Sequence, residues 1–236
     1  MALPRLNEFP TYTLKLPSTD QQVKFRPFVT KEQKVLMIAL ETGDRQNVAQ
    51  AIEDIITTCT DIKDYSQLTT FDVEYIFLQL RSKSVGEKAD IKVRCDECGE
   101  FQDVQVDLSK IKVSGNTKPV KIKLTDSVTV EMRYPAEKEI TANQALLEAG
   151  SYTQELIELI VTSMYKIYTD EEMFLVSDSP KEEVYDFVES TTKPQFQKMV
   201  EFVTSIPQTK HDINFTCTSC GHESTLEITG ISDFFG

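Results

Sequence analysis

Two CxxCG motifs constrain this chain more than anything else in it: Cys95-Asp96-Glu97-Cys98-Gly99 and Cys217-Thr218-Ser219-Cys220-Gly221. Each lies inside a strand–turn–strand pattern, so a pair of thiols crowns a tight turn whose glycine supplies the backbone freedom. One such knuckle offers half of a tetrahedral site, and two offer all of it. The spacing therefore predicts that Cys95, Cys98, Cys217 and Cys220 hold one zinc per chain. Four sulfur ligands leave no open position for water or substrate, so the zinc is expected to be structural. A redox CxxC needs a helix N-terminus to lower its thiol pKa, and neither knuckle opens a helix. Disulfides need an oxidising compartment. The N-terminal MALPRLNEFP lacks the apolar core of a signal peptide, so the expected setting is a reducing cytoplasm. His211 and His222 flank the second knuckle and are expected to be bystanders beside four thiols. Cys59, the odd cysteine, falls on an apolar helix face and reads as a small core residue.

The order of the chain around the knuckles carries a topological expectation. Residues 11–16 and 23–28 alternate as two strands of a hairpin. Thr30 and Gln33 have capping-box spacing and open a helix to about Thr42, stopped by Gly43. Val48, Ala51, Ile52, Ile55, Ile56 and Cys59 recur at helical spacing in a second helix. A third, about 70–82, carries Phe71, Val73, Tyr75, Ile76, Phe77, Leu78 and Leu80 on more than one face, which places it centrally. Residues 88–94 and 101–108 then alternate as strands around the first knuckle. A second hairpin follows at 120–124 and 128–134, after a flexible loop expected at Ser114-Gly115-Asn116-Thr117. Residues 137–206 read as four helices. One, from Thr153 to Tyr168, is nearly encircled by apolar positions, and one is capped by Ser179 with Pro180 at its first position. A last helix, with Phe196, Met199, Val200, Val203 and Ile206 on one face, ends at Pro207.

The predicted fold class is thus α+β. Residues 1–86 form an N-terminal hairpin with three helices. Residues 87–136 and 207–236 form a split, four-cysteine zinc-ribbon-like β module, and 137–206 an inserted acidic helical subdomain. The 118 residues between Cys98 and Cys217 interrupt the ribbon. Closing such a loop costs entropy that grows slowly with length, and metal binding offsets it.

Charge and missing motifs exclude several functions. The formal net charge is −13. Between Glu137 and Glu189 there are 13 acidic residues against three basic ones, which is most of that imbalance. A zinc ribbon that binds nucleic acid needs a basic face to neutralise phosphates, and none is present. No apolar run reaches the ~20 residues of a membrane span. The chain has no GxGxxG or P-loop to cradle phosphate, and its two histidines both lie beside the second knuckle. No catalytic constellation can be assembled and no small-molecule substrate is implied. What is left is a zinc-stapled scaffold or binding module.

Residues Phe25 to Glu87 add a resemblance. Phe25-Arg26-Pro27-Phe28, Lys31-Glu32-Gln33-Lys34, Leu40-Glu41-Thr42, the Ile-rich helix ending in Cys59 and FDVEYIFLQLRSKSVGE from Phe71 to Glu87 resemble the baseplate hub subunit of T-even-type contractile-tailed bacteriophages. The closing Phe234-Phe235-Gly236 fits that family's ending. The resemblance implies a non-enzymatic structural or assembly protein of the tail baseplate. It would be made in the host cytoplasm, contact other hub or wedge proteins, and help form the hub on which wedges dock. It brings no catalytic residues. Arg81 and Lys83, a basic spot at the end of the third helix, and the tail residues Phe234 and Phe235 are candidate partner contacts. A zinc-ribbon adaptor for nucleic acid or polymerase is the competing reading, disfavoured by charge. A metal-dependent enzyme is disfavoured by the all-cysteine ligand set.

Overall fold

The computed structural model describes residues 9–141 and 151–229, with helices and several small antiparallel sheets. The chain divides into two compact units. One takes its described residues from Met1–Tyr65, Phe71–Ser114 and Gln208–Gly236, the other from Ser66–Thr70 and Gly115–Pro207. Elements are numbered along the chain.

In the first unit, β1 (Tyr12–Lys15) and β2 (Gln22–Phe25) pair antiparallel, and their alternation turns Leu14, Val23 and Phe25 inward. Helix α1 (Thr30–Thr42) starts one residue earlier than its capping-box spacing implies. Val29, not Thr30, occupies the cap position, and Glu32 Oε2 accepts the Val29 N–H at 2.8 Å. Valine has no oxygen to give, so the cap comes from Glu32, itself held by Arg26 at 3.1 Å. Gly43 closes the helix at φ +66°, where a side chain would be strained. Helix α2 (Arg45–Cys59) is capped by Asp44 and buries Ala51, Ile52, Ile55, Ile56 and Cys59, the stripe its spacing predicts. Helix α3 (Thr70–Ser84) buries residues on most of its circumference, Phe71, Ile76, Phe77, Leu78 and Leu80 among them. Its fully buried Asp72 accepts the Ser18 N–H at 3.0 Å, so the helix also holds the turn of the N-terminal hairpin.

Strands β3 (Lys88–Arg94) and β4 (Phe101–Asp107) form a two-stranded ribbon with the first knuckle at its tip. Strands β10 (Gln208–Thr216) and β11 (Glu223–Thr229) form another, with the second knuckle at its tip. A buried cluster joins them to α3: Leu78 from the helix, Ile91, Val93 and Val106 from the first ribbon, Ile213 and Phe215 from the second. Glu74 Oε2 adds a polar tie, accepting from Thr209 Oγ1 at 2.6 Å.

The segment expected as a loop at Ser114–Thr117 is joined to its surroundings at two points. Strand β5 (Lys112–Ser114) pairs with the start of β10, Ser114 opposite Gln208, and the Asn116 carbonyl accepts the Tyr134 hydroxyl. Backbone pairing thus closes the excursion of residues 115–207 at its base, before any contribution from the knuckles.

The second unit is a four-stranded antiparallel sheet with helices. Its order is β6 (Val120–Lys123), β7 (Thr129–Met132), β8 (Met164–Tyr168) and β9 (Met173–Leu175). The single helix expected from Thr153 to Tyr168 is instead helix α4 (Tyr152–Ser163) running directly into β8. The apolar residues encircle the segment because two periods are joined in it: a helical stripe with Ile160 and Val161, then a strand, Met164-Tyr165-Lys166-Ile167-Tyr168, rich in β-formers. Helix α5 (Lys181–Glu189) also starts later than expected, with Pro180 at its cap position and Ser179 closing a preceding 3₁₀ turn. Helix α6 (Lys193–Thr204) is capped by Thr192 and Gln195, the Gln195 side chain accepting the Thr192 N–H at 2.8 Å. A further helix begins at Glu137. Residues 142–150, which fall within the four-helix reading, lie outside the described residues. Helix α4 packs on both α5 and α6. Val130, Met132, Ile160, Val188 and Met199 are buried in this unit, and the Tyr134 ring stacks on Phe202 at 4.7 Å.

Candidate metal centre

Each ribbon reverses through the same turn. Cys95 N–H donates to the Glu100 carbonyl at 2.9 Å, and Gly99 N–H to the Cys95 carbonyl at 2.9 Å. In the second knuckle Cys217 N–H donates to the His222 carbonyl at 2.8 Å, and Gly221 N–H to the Cys217 carbonyl at 2.9 Å. Gly99 and Gly221 sit at φ +75° and +74°, the left-handed conformation that the sequence pattern requires of them. Both turns also aim backbone N–H groups at sulfur: Glu100 at Cys98, Ser219 and Cys220 at Cys217, His222 at Cys220.

The turns bring all four sulfurs together. Cys95 Sγ lies 3.8 Å from Cys220 Sγ, Cys98 Sγ lies 3.6 Å from Cys217 Sγ, and the whole set falls within 4.8 Å. A disulfide would need about 2.0 Å. Sulfurs at the corners of a tetrahedron around a metal, with bonds of about 2.3 Å, stand about 3.8 Å apart. The two separations of 3.6 and 3.8 Å match the second spacing, and the remaining ones, all within 4.8 Å, are compatible with a metal ion. It also pairs buried with exposed: Cys95 and Cys217 are buried, Cys98 and Cys220 exposed.

The acidities of Cys98, Cys217 and Cys220 differ. Cys217 is pulled down to about 6, chiefly by the backbone N–H groups of Cys220 and Ser219, with help from neighbouring thiols. Cys98 is pushed up to about 12, because desolvation and the three other sulfurs outweigh the Glu100 N–H. Cys220 is raised as well, although the His222 N–H opposes the rise. One thiolate is tolerated and further ones repel it. A divalent cation removes that repulsion, so the donor set fits a metal ion bound by four thiolates.

The neighbours of the knuckles were not foreseeable from the motifs. Gln102, on β4, accepts the Thr218 N–H at 2.9 Å and so ties the second turn to the first ribbon. Arg94 Nε donates to the Gly99 carbonyl at 3.2 Å and lies over that turn. No local signal marks Gln102, whose partner is 116 residues away. His222 is exposed and serves the site through its backbone, while the His211 side chain lies outside the described residues.

The candidate partner contacts stand elsewhere. Lys83 pairs with Glu87 at 2.6 Å and lies over the Tyr12 ring. Arg81 is half-buried, burial lowers its pKa, and its guanidinium forms no hydrogen bond or ion pair with a described residue. Phe234 and Phe235 lie outside the described residues. Among the described residues no helix is long and apolar enough to cross a membrane.

Comparison with known proteins gives a family. No curated protein and no solved structure matches the chain. The family model described as "T4 bacteriophage base plate protein" matches residues 9–236, which takes in both ribbons, both knuckles and the excursion between them. A match over nearly the whole chain, on a protein whose N-terminal block carries the baseplate-like motifs, places this chain in the T4-type phage baseplate protein family.

Proposed function

We propose that the protein is a structural and assembly subunit of the baseplate hub, acting by contacts with hub or wedge proteins and holding one structural zinc on Cys95, Cys98, Cys217 and Cys220. Membership of the baseplate family supports the tail role, and the resemblance of Phe25–Glu87 to hub subunits supports the finer one. The observation that carries the zinc is the meeting of four sulfurs within 4.8 Å, from motifs separated by 118 residues. Bound there, the metal would supply no chemistry beyond cross-linking, because all four positions are taken by protein sulfur. It would lock the tips of the two ribbons together. The protein is made in the host cytoplasm and ends in the tail baseplate. Arg81, Lys83, Phe234 and Phe235 are its proposed contacts with neighbours, with Arg81 the strongest of them because its guanidinium has no partner among the described residues.

Two measurements test this. Elemental analysis of the purified protein should find one zinc per chain, lost in a Cys217→Ser, Cys220→Ser double variant. A wild-type protein without metal would sink the zinc assignment. In the parent phage, a nonsense mutation in this gene should stop baseplate formation and be rescued by the wild-type gene in trans. Normal tails from that mutant would remove the hub role.

A further inference from the structure

Helix α1 contains six consecutive apolar residues, Val35-Leu36-Met37-Ile38-Ala39-Leu40. The fold uses only part of them: Leu36 and Ala39 are buried, while Val35, Met37 and Ile38 are 45%, 53% and 51% exposed. An exposed apolar patch on the order of a few hundred Å² on a soluble domain marks an interaction site. The charges around it say which kind. Each of Lys31, Lys34, Val35, Ile38, Glu41 and Thr42 has another of the set three or four residues away, so they share one outward stripe. Lysines stand at its N-terminal end, aliphatic residues at its middle and a glutamate at its C-terminal end. The side chains of Lys31, Lys34 and Glu41 form no hydrogen bond or ion pair with any described residue.

That stripe is complementary to itself. At a rise of 1.5 Å per residue, Lys31 lies about 8 Å before the midpoint of Val35 and Ile38, and Glu41 about 7 Å after it. A two-fold axis through that midpoint sets two α1 helices antiparallel, Val35 against Ile38, with the lysine end of each beside Glu41 of the other. A parallel pair would stack lysine on lysine. We propose that α1 is a self-association surface through which two copies of this chain pair antiparallel. The surface is small, so the pairing is expected to be weak, with a dissociation constant in the micromolar range. This inference stands apart from the zinc and hub assignments, since α1 contributes no sulfur ligand.

Sedimentation equilibrium of the full chain as purified, at about 0.15 M salt, where long-range repulsion is screened, tests it. Between about 1 and 200 µM the mass should rise from 26.9 kDa toward twice that value. Ile38→Lys should abolish the rise. Glu41→Lys should weaken association by tenfold or more, roughly what one like-charge contact costs. Combining Lys31→Glu and Lys34→Glu with Glu41→Lys should restore it to within about threefold, because the reversed stripe is again self-complementary. Far-UV circular dichroism and metal content check that each variant keeps its fold. A mass that stays monomeric throughout, or a dimer indifferent to Ile38→Lys, would overturn the proposal. A triple variant that stays dissociated while folded would overturn the antiparallel register.

Discussion

The two units hold their strands together by different means. In the first, the β3–β4 ribbon has only two strands, and β10–β11 gains a short third strand only at its base. Their tips end in exposed or half-buried residues such as Phe101, Gln102 and Asn214. Ribbons of this size are marginal in water, and here the four-sulfur cluster sits where the apolar core gives out. The second unit has no cysteine at all. Its four strands are backed by helices, and Glu158 on α4, one of its buried polar groups, is held by Lys181 at 2.8 Å and by the Tyr185 hydroxyl of α5. The lesson is that the excursion between the knuckles is not a passive loop awaiting a metal clip. It carries its own core, while the ribbons that flank it share a core with α3 only at their base.

The largest effect should come from removing the proposed zinc cross-link between the ribbon tips. Structural zinc contributes roughly 10–16 kcal/mol in small peptides, more than most whole domains have to spare. A strong chelator, or the Cys217→Ser, Cys220→Ser variant, should abolish hydrogen-exchange protection in β3, β4, β10 and β11. Protection in β7, α4 and α6 should persist. If all of these lose protection together, the two units are one cooperative system and the contrast fails.

The converse experiment truncates the other core. Ile160 is fully buried on α4, and Ile160→Ala should cost about 2–5 kcal/mol through lost transfer energy and the cavity left behind. Protection should fall in β6–β9 and the helices around them while zinc stays bound at full stoichiometry. Zinc loss in this variant would show that the ribbons depend on the second unit after all.

How much of this was legible in the sequence follows the range of the forces involved. The knuckles, α2 and the central place of α3 were readable because each is specified within some 15 residues by spacing. Cys95 and Cys217 could be paired in advance only because tetrahedral metal sites demand four donors; no pattern of apolar residues would have done it. Strand β5 was missed because three residues, Lys112-Val113-Ser114, carry no periodicity, and their pairing with Gln208–Lys210 is purely tertiary. The junction of α4 and β8 was misread because both periods are apolar and no glycine or proline separates them. The caps of α1 and α5 each shifted by one residue. In α1, the carboxylate of Glu32 competes with the Thr30 hydroxyl for the role, and a charged acceptor makes the stronger bond.

A smaller effect distinguishes the knuckles themselves. Gly99 and Gly221 share a left-handed backbone, so alanine at either should cost about 1–2 kcal/mol of strain. A Cβ at Gly221 meets open space, whereas one at Gly99 would stand 3.2 Å from the Arg94 guanidinium. Since that contact is the end of a flexible side chain, Gly99→Ala should lower zinc affinity only slightly more than Gly221→Ala, with the Arg94–Gly99 hydrogen bond as the added loss. Competition titration with a chromophoric chelator resolves the two. A much weaker site in Gly221→Ala would mean that the knuckles are not backbone equivalents.

The smallest effect is in the second unit and is set by pH. Glu139 is bound in a fork by Arg133, at 2.8 and 2.6 Å, and accepts the Ala136 N–H at 2.8 Å. Burial would raise its pKa, but the guanidinium and the backbone donor outweigh burial and hold the carboxyl below its ordinary value of 4.5. A carboxylate so depressed contributes stability that is fully present above the unfolded value and drains away as pH falls through the folded one. The pair is partly exposed, so the contribution is about 1 kcal/mol or less. Glu139→Gln should therefore destabilise the second unit slightly at pH 7, and the difference from wild type should shrink below about pH 4.5. Urea unfolding followed by hydrogen-exchange labelling of β7 and α4 separates this from the first unit, where acid would displace the proposed metal from its thiolates. A wild-type advantage that stays constant down to pH 3 would show that Glu139 works as an uncharged cap rather than through its charge.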